Sequence, residues 1–132
     1  ASVPGLKIVL EHLAGMGVIA LGDRRQRAEP PYPDYQQALK LADYPNTYLK
    51  IHGMGEICPP PFPYPEIPPF VEMAYHAFGS RRMMWGSDFP PVSLREGYRN
   101  ALRFTMEQMP YCNDEDLEWI FGNTALSVYK FP

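Results

Sequence analysis

Three strand-like segments of this sequence end in groups that can move a proton or bind a metal. His12 lies near the end of "LKIVLEHL" (Leu6–Leu13), His52 near the end of "NTYLKIHG" (Asn46–Gly53), and Asp88 closes "RMMWGSD" (Arg82–Asp88). A neutral imidazole and a carboxylate are suitable metal ligands, and they are equally a base pair for activating water. Taken singly, each has a plainer reading. A strand-end histidine is commonly a hydrogen-bonded structural residue. An aspartate before Phe89 and Pro90 is a common turn former. Lys50 is more informative, because it sits inside its segment between Leu49 and Ile51. A buried mid-strand ammonium is costly unless it is paired or faces a polar cavity. Arg24 and Arg25 follow the first segment and offer guanidinium forks that match a substrate carboxylate. The plainer reading is a solvated charge run. His76, in the middle of "VEMAYHAFG", reads as a helix-surface residue.

The segments around these groups alternate in kind. Period-2 alternation in the first segment places Ile8, Leu10 and His12 on one face, and Lys7, Val9 and Glu11 on the other. In the second, Leu49 and Ile51 share one face while Tyr48, Lys50 and His52 share the other. Between them "PDYQQALKLADYP" predicts a helix, with Asp34 as N-cap, Gln37 as its capping-box partner and Pro45 as the stop. "PPFVEMAYHAFG" predicts a second helix, opened by prolines and closed at Gly79. "LREGYRNALRFTMEQMP" predicts a third, bounded by Pro110. "NDEDLEWIFGN" predicts a fourth, with Asn113 as N-cap, acids in its first turn and a break at Gly122. "NTALSVYKF" closes the chain as a short helix with Leu126 and Tyr129 on one side. The order β-α-β-α-β-α-α implies an α/β fold of parallel strands joined by right-handed crossovers. In such folds the C-terminal ends of the strands open on one side, so His12, His52 and Asp88 can converge.

Bulk composition narrows the function classes. The 132 residues are 45% hydrophobic and 20% charged, which suits one globular domain. The net charge of −3, with no basic block, argues against a nucleic-acid partner or an anionic membrane. No apolar run approaches the roughly 18–20 residues of a membrane span, and no signal-type segment opens the chain. Cys58 and Cys112 read as free thiols of a reducing, cytoplasmic setting. Sixteen prolines are about twice the usual roughly 5%. They gather in "EPPYP" (Glu29–Pro33) and "CPPPFPYPEIPPF" (Cys58–Phe70), which read as ordered loops. Phe62 and Tyr64 are candidate lid residues there, the plainer reading being that they pack the loop onto the rim.

Four motifs in order, "IVLEHLAG", "NTYLKIHGMGEI", "RRMMWGSDFPP" and "EDLEWIFGNTALSVYKF", resemble the C-terminal part of an amidohydrolase-related (amidohydrolase 2) protein. That family belongs to the metal-dependent hydrolase superfamily of distorted (β/α)8 barrels. The resemblance implies that residues 1–132 are the C-terminal portion of a TIM-like barrel, its sixth to eighth strands with the following helices. It implies that His12 and Asp88 lie at the catalytic mouth, as metal ligands or as general base and partner. It further implies hydrolysis of a lactone or similar C–O or C–N bond by an activated water. His52, Lys50 and Arg24 then become candidates for holding a small acidic or lactone substrate. A divalent metal, zinc first, is the implied cofactor, although lactonases of this kind also work without metal. The family's His-x-His pair is not in this sequence. A closed barrel needs about 250 residues, so the chain reads as a fragment, inactive alone, with an inward face of Ile8, Leu10 and Met84 open to aggregation or homodimerisation. Two other readings stand beside this one: a metal-dependent decarboxylase of an aromatic or muconate-type acid, and a non-catalytic α/β interaction domain.

Overall fold

The computed structural model describes residues 3, 5–16 and 30–131. Strand β1 (Ile8–Leu10), β2 (Thr47–Ile51) and β3 (Met83–Trp85) form one parallel sheet in the order β1-β2-β3. The parallel arrangement matches the expected alternation of strands and helices. Each strand is shorter than its apolar segment. The backbone leaves the ladder where the polar residues begin, so His12, His52 and Asp88 stand just beyond the strands.

The register assigns the faces. Leu10 pairs with Leu49, and Leu49 with Met83, while Lys50 pairs with Met84. Leu49, Ile51 and Met83 are buried and belong to the main core. Met84 therefore lies on the Lys50 face, across the sheet from Leu10, and it is itself buried. The expected single open face of Ile8, Leu10 and Met84 does not exist. A shift of one residue in pairing exchanges the faces, and the register places Met84 opposite to that grouping.

Four regular helices and one short terminal helix cover the core face: α1 (Pro33–Leu39), α2 (Phe70–Phe78), α3 (Tyr98–Glu107), α4 (Asp114–Glu118) and α5 (Thr124–Val128). In α2 the buried residues Phe70, Val71, Ala74 and Phe78 make the stripe expected of an amphipathic helix. Gly79 ends it with φ 70°, a conformation that favours glycine. Tyr35 of α1 is buried edge-on against Phe70 and donates its hydroxyl to the Phe70 carbonyl at 3.1 Å. Arg82, at the entrance to β3, donates to the carbonyls of Ala42 and Tyr44 and so ties the end of the first crossover to the third strand.

Several helix ends differ from expectation. Asp34 does not cap α1. The cap is Tyr32 in a left-handed conformation, and Pro33 takes the first helical position, where its missing N–H costs nothing. The third helix begins at Tyr98, after Gly97 at φ 79°, and not at Leu94. The released residues Arg95 and Glu96 turn inward instead. Asn113 caps α4 as expected, in a reciprocal capping box with Asp116. Gly122 does not break the chain. It lies in a wide helical turn, Trp119–Asn123, that runs straight into α5 and buries Ile120. Leu126 and Tyr129 are exposed.

Candidate functional site

At the C-terminal side of the sheet, β1 passes through Glu11 into a left-handed turn, His12–Gly15. His12, Leu13 and Ala14 take φ values of 50°, 48° and 56°. Asp88, three residues beyond β3, has φ 57°. Left-handed backbone costs a non-glycine residue roughly 1–2 kcal/mol. Such strain persists only where surroundings over-determine it, and it concentrates at ligand and catalytic sites. Leu13 contributes part of that restraint, as it is fully buried in the core.

The two strained turns meet. His12 Nε2 lies 3.2 Å from Asp88 Oδ1, a contact across 76 positions of sequence. Because an ionised carboxylate only accepts, His12 Nε2 is the donor. The imidazole is half-exposed and the carboxylate mostly covered. His52 completes the group. Its ring centroid is 5.1 Å from that of His12, tilted by 60°. It is 2% exposed, and among the described residues neither ring nitrogen has a partner. Burial, reinforced by the neighbouring His12, pushes its pKa down to about 3, with Asp88 opposing. His52 is therefore a neutral ring at neutral pH.

Lys50 does not point free into the site, for its ammonium is 2.7 Å from Glu11 Oε2. A Cβ on Gly86 would lie 2.6 Å from Lys50 Cε, so a side chain there would displace the Lys50 stem. Arg24 lies outside the described residues, and so does Arg25. His76 is exposed on α2 beside Glu72, as expected. Phe62 and Tyr64 pack edge-on against Phe104 of α3, so the plainer reading of the Pro-rich loop is the one observed.

The sequence reading missed Arg95. Its guanidinium lies 3.3 Å from Asp88 Oδ2, pairs with Glu56, and places Nε 3.4 Å from Glu96 Oε2. Glu56 stands in the turn Met54–Glu56 just beyond β2. The available signal was the position of "RE" seven and eight residues after Asp88, in a stretch that reads as helix.

As a metal site these side chains are incomplete. Among the described residues no group of three His, Cys, Asp or Glu is placed to hold a metal ion. Both oxygens of Asp88 are already engaged, one by His12 and one by a guanidinium. Zinc sites use three or four protein ligands, so these residues alone do not fit one, and a metal here would need further donors.

Comparison with known proteins gives the lineage. The amidohydrolase family model matches residues 1–131. The chain belongs to the amidohydrolase family. It is 29% identical over 132 residues to an L-fucono-1,5-lactonase from Burkholderia ambifaria, covering 96% of this chain and 42% of that protein. Two crystal structures of an amidohydrolase from Burkholderia multivorans share its fold. One, with bound zinc, has a TM-score of 0.72 at 22% identity and covers 96% of this chain and 44% of its own. The other, with bound HEPES, has a TM-score of 0.71 at 23% identity and covers 96% and 45%. The chain thus spans less than half the length of the relatives it matches.

Proposed function

We propose that residues 1–132 are the last three βα units of a (β/α)8 barrel, and that the whole enzyme hydrolyses a lactone, or a similar C–O or C–N bond, of a small-molecule substrate that is acidic or a lactone. The observation that carries this reading is the contact between His12 and Asp88 at the mouth, each held in a strained backbone. The name of the Burkholderia ambifaria relative supports the lactone class.

In this reading Asp88 accepts the proton of an attacking water, and the water oxygen bonds to the lactone carbonyl carbon. As Asp88 takes up that proton, the Nε2–H of His12 passes from Oδ1 to the carbonyl oxygen, where negative charge develops. The ring C–O bond then breaks, and the leaving oxygen recovers the proton from Asp88. His52 stays neutral behind His12 and limits how far that ring can tilt. Lys50 and Arg24 are assigned to holding the substrate, through its hydroxyls or, where it carries one, its acid group, Lys50 by exchanging Glu11 for it.

The test is hydrolysis of a panel of sugar-acid lactones, L-fucono-1,5-lactone first, by the whole enzyme. Asp88→Asn should lower kcat by about 10²–10⁴-fold with an unchanged circular dichroism spectrum. Retained turnover would remove Asp88 from the role of base. A parent enzyme that opens no lactone would remove the lactone reading.

A further inference from the structure

Arg95 has three nitrogens and three acids around them. One terminal nitrogen pairs with Glu56, the other lies 3.3 Å from Asp88 Oδ2, and Nε lies 3.4 Å from Glu96 Oε2. The acids come from different places. Glu56 follows β2, Asp88 follows β3, and Glu96 is Arg95's own neighbour. Glu96 is itself fixed, because Tyr64 of the Pro-rich loop donates its hydroxyl to Oε2 at 2.9 Å. The Glu96 side chain is 1% exposed and that of Glu56 is 9% exposed. Charges this covered persist only when paired and hydrogen-bonded.

The backbone is shaped around this cluster. A Cβ at Gly55 would lie 2.8 Å from Glu96 Oε2 and 3.1 Å from Arg95 Nε. A Cβ at Gly53 would lie 3.2 Å from Glu96 Oε1 and 3.4 Å from the Arg95 nitrogen that faces Asp88. The two glycines of "HGMG" therefore admit the guanidinium and its acids against the chain beyond β2.

We propose that Arg95 is a positioning residue. Clamped between Glu56 and Glu96, its planar fork holds Asp88 Oδ2 so that Oδ1 faces His12. Each of the fork's three nitrogens already faces an acid, so its charge is matched before any substrate carboxylate arrives. Its role is therefore to aim Asp88, and it acts on the reaction only through that residue. The catalytic part of this inference rests on the reading of Asp88 as base; the geometric part does not.

Two variants test both parts. Arg95→Gln removes the charge, and Arg95→Lys keeps the charge but cannot span three acids. Crystal structures of the whole protein should show the Asp88 carboxylate withdrawn from His12 Nε2 in each variant. With lactone substrates, kcat should fall about 10–100-fold while KM changes little, the loss being smaller for Lys. An Asp88–His12 contact that survives in Arg95→Lys, or in a folded Arg95→Gln, overturns the proposal. So does turnover at the parent rate once that contact is lost. If Asp88 withdraws but the parent enzyme opens no lactone, the positioning role stands and the lactone reading falls.

Discussion

His52 is the residue whose surroundings speak most directly to solution behaviour. It is almost fully buried, beside a second imidazole, and its pKa is pushed down to about 3 from the ordinary 6.5. Such a ring takes up its proton only on unfolding across the window between those values. The unfolded chain then binds more protons than the folded one, so stability is full above pH 6.5 and is lost as pH falls. At pH 5 the loss from this residue is about 2 kcal/mol relative to pH 7. Urea denaturation of the parent and of His52→Gln at both pH values checks it. The variant should lack about that much of the acid-side loss, and equal pH dependence in the two would show that His52 is hydrated or paired. The site was partly legible at this scale. His12, His52 and Asp88 could be grouped from the sequence because strand ends in a parallel sheet open on one side. Arg95, Glu56 and Glu96 could not, because they lie in turns and converge only through Gly53, Gly55 and Gly97. Lys50 was legible as a cation in need of a partner, and Glu11 is that partner.

At the scale of elements, apolar content located all three strands, and the faces of β2 followed from alternation alone. The ends were less legible. Asp34 and Gln37 have the spacing of a capping box, yet Pro33 already starts the helix one residue earlier. "LREGYRN" has helical composition throughout, but Gly97 at φ 79° separates the turn that carries Arg95 from α3. Gly122 has the composition of a helix breaker, yet packing of Ile120 holds a wide turn through it. Asn113 is an N-cap on which composition and structure agree. Its side chain accepts from the Asp116 N–H at 2.9 Å, and the Asp116 carboxylate accepts from the Asn113 N–H at 3.2 Å. Tyr75 of α2 also donates to Asp116, at 2.9 Å, so the box ties α4 to its neighbour. Asn113→Ala should lower stability by about 1 kcal/mol, read as a shift of the denaturation midpoint with an unchanged slope. A loss below about 0.3 kcal/mol would mean that water replaces the cap, since N-cap losses start near 0.5 kcal/mol.

For the molecule as a whole, the decisive feature is the edge of the sheet. Among the described residues β1 pairs only with β2, so its other side carries open backbone donors and acceptors. Val3, Leu6 and Ile8, at and just before that strand, are 63%, 50% and 42% exposed. An unpaired strand beside exposed apolar side chains is a template for another strand. In a closed barrel every such edge is paired. The core on the helix side does not supply this closure, because Leu49, Ile51 and Met83 already fill the opposite face from Lys50 and Met84. Expressed as the isolated 132-residue polypeptide, the chain is therefore expected to self-associate through β1. Sedimentation velocity over a hundredfold range of concentration should show a rising weight-average mass. Ile8→Lys, which puts a charge on the edge strand where it opposes pairing, should return the mass toward that of the monomer without loss of helical circular dichroism. A parent polypeptide that stays monomeric across that range and melts in one sharp transition would show that residues 1–132 close their own edge.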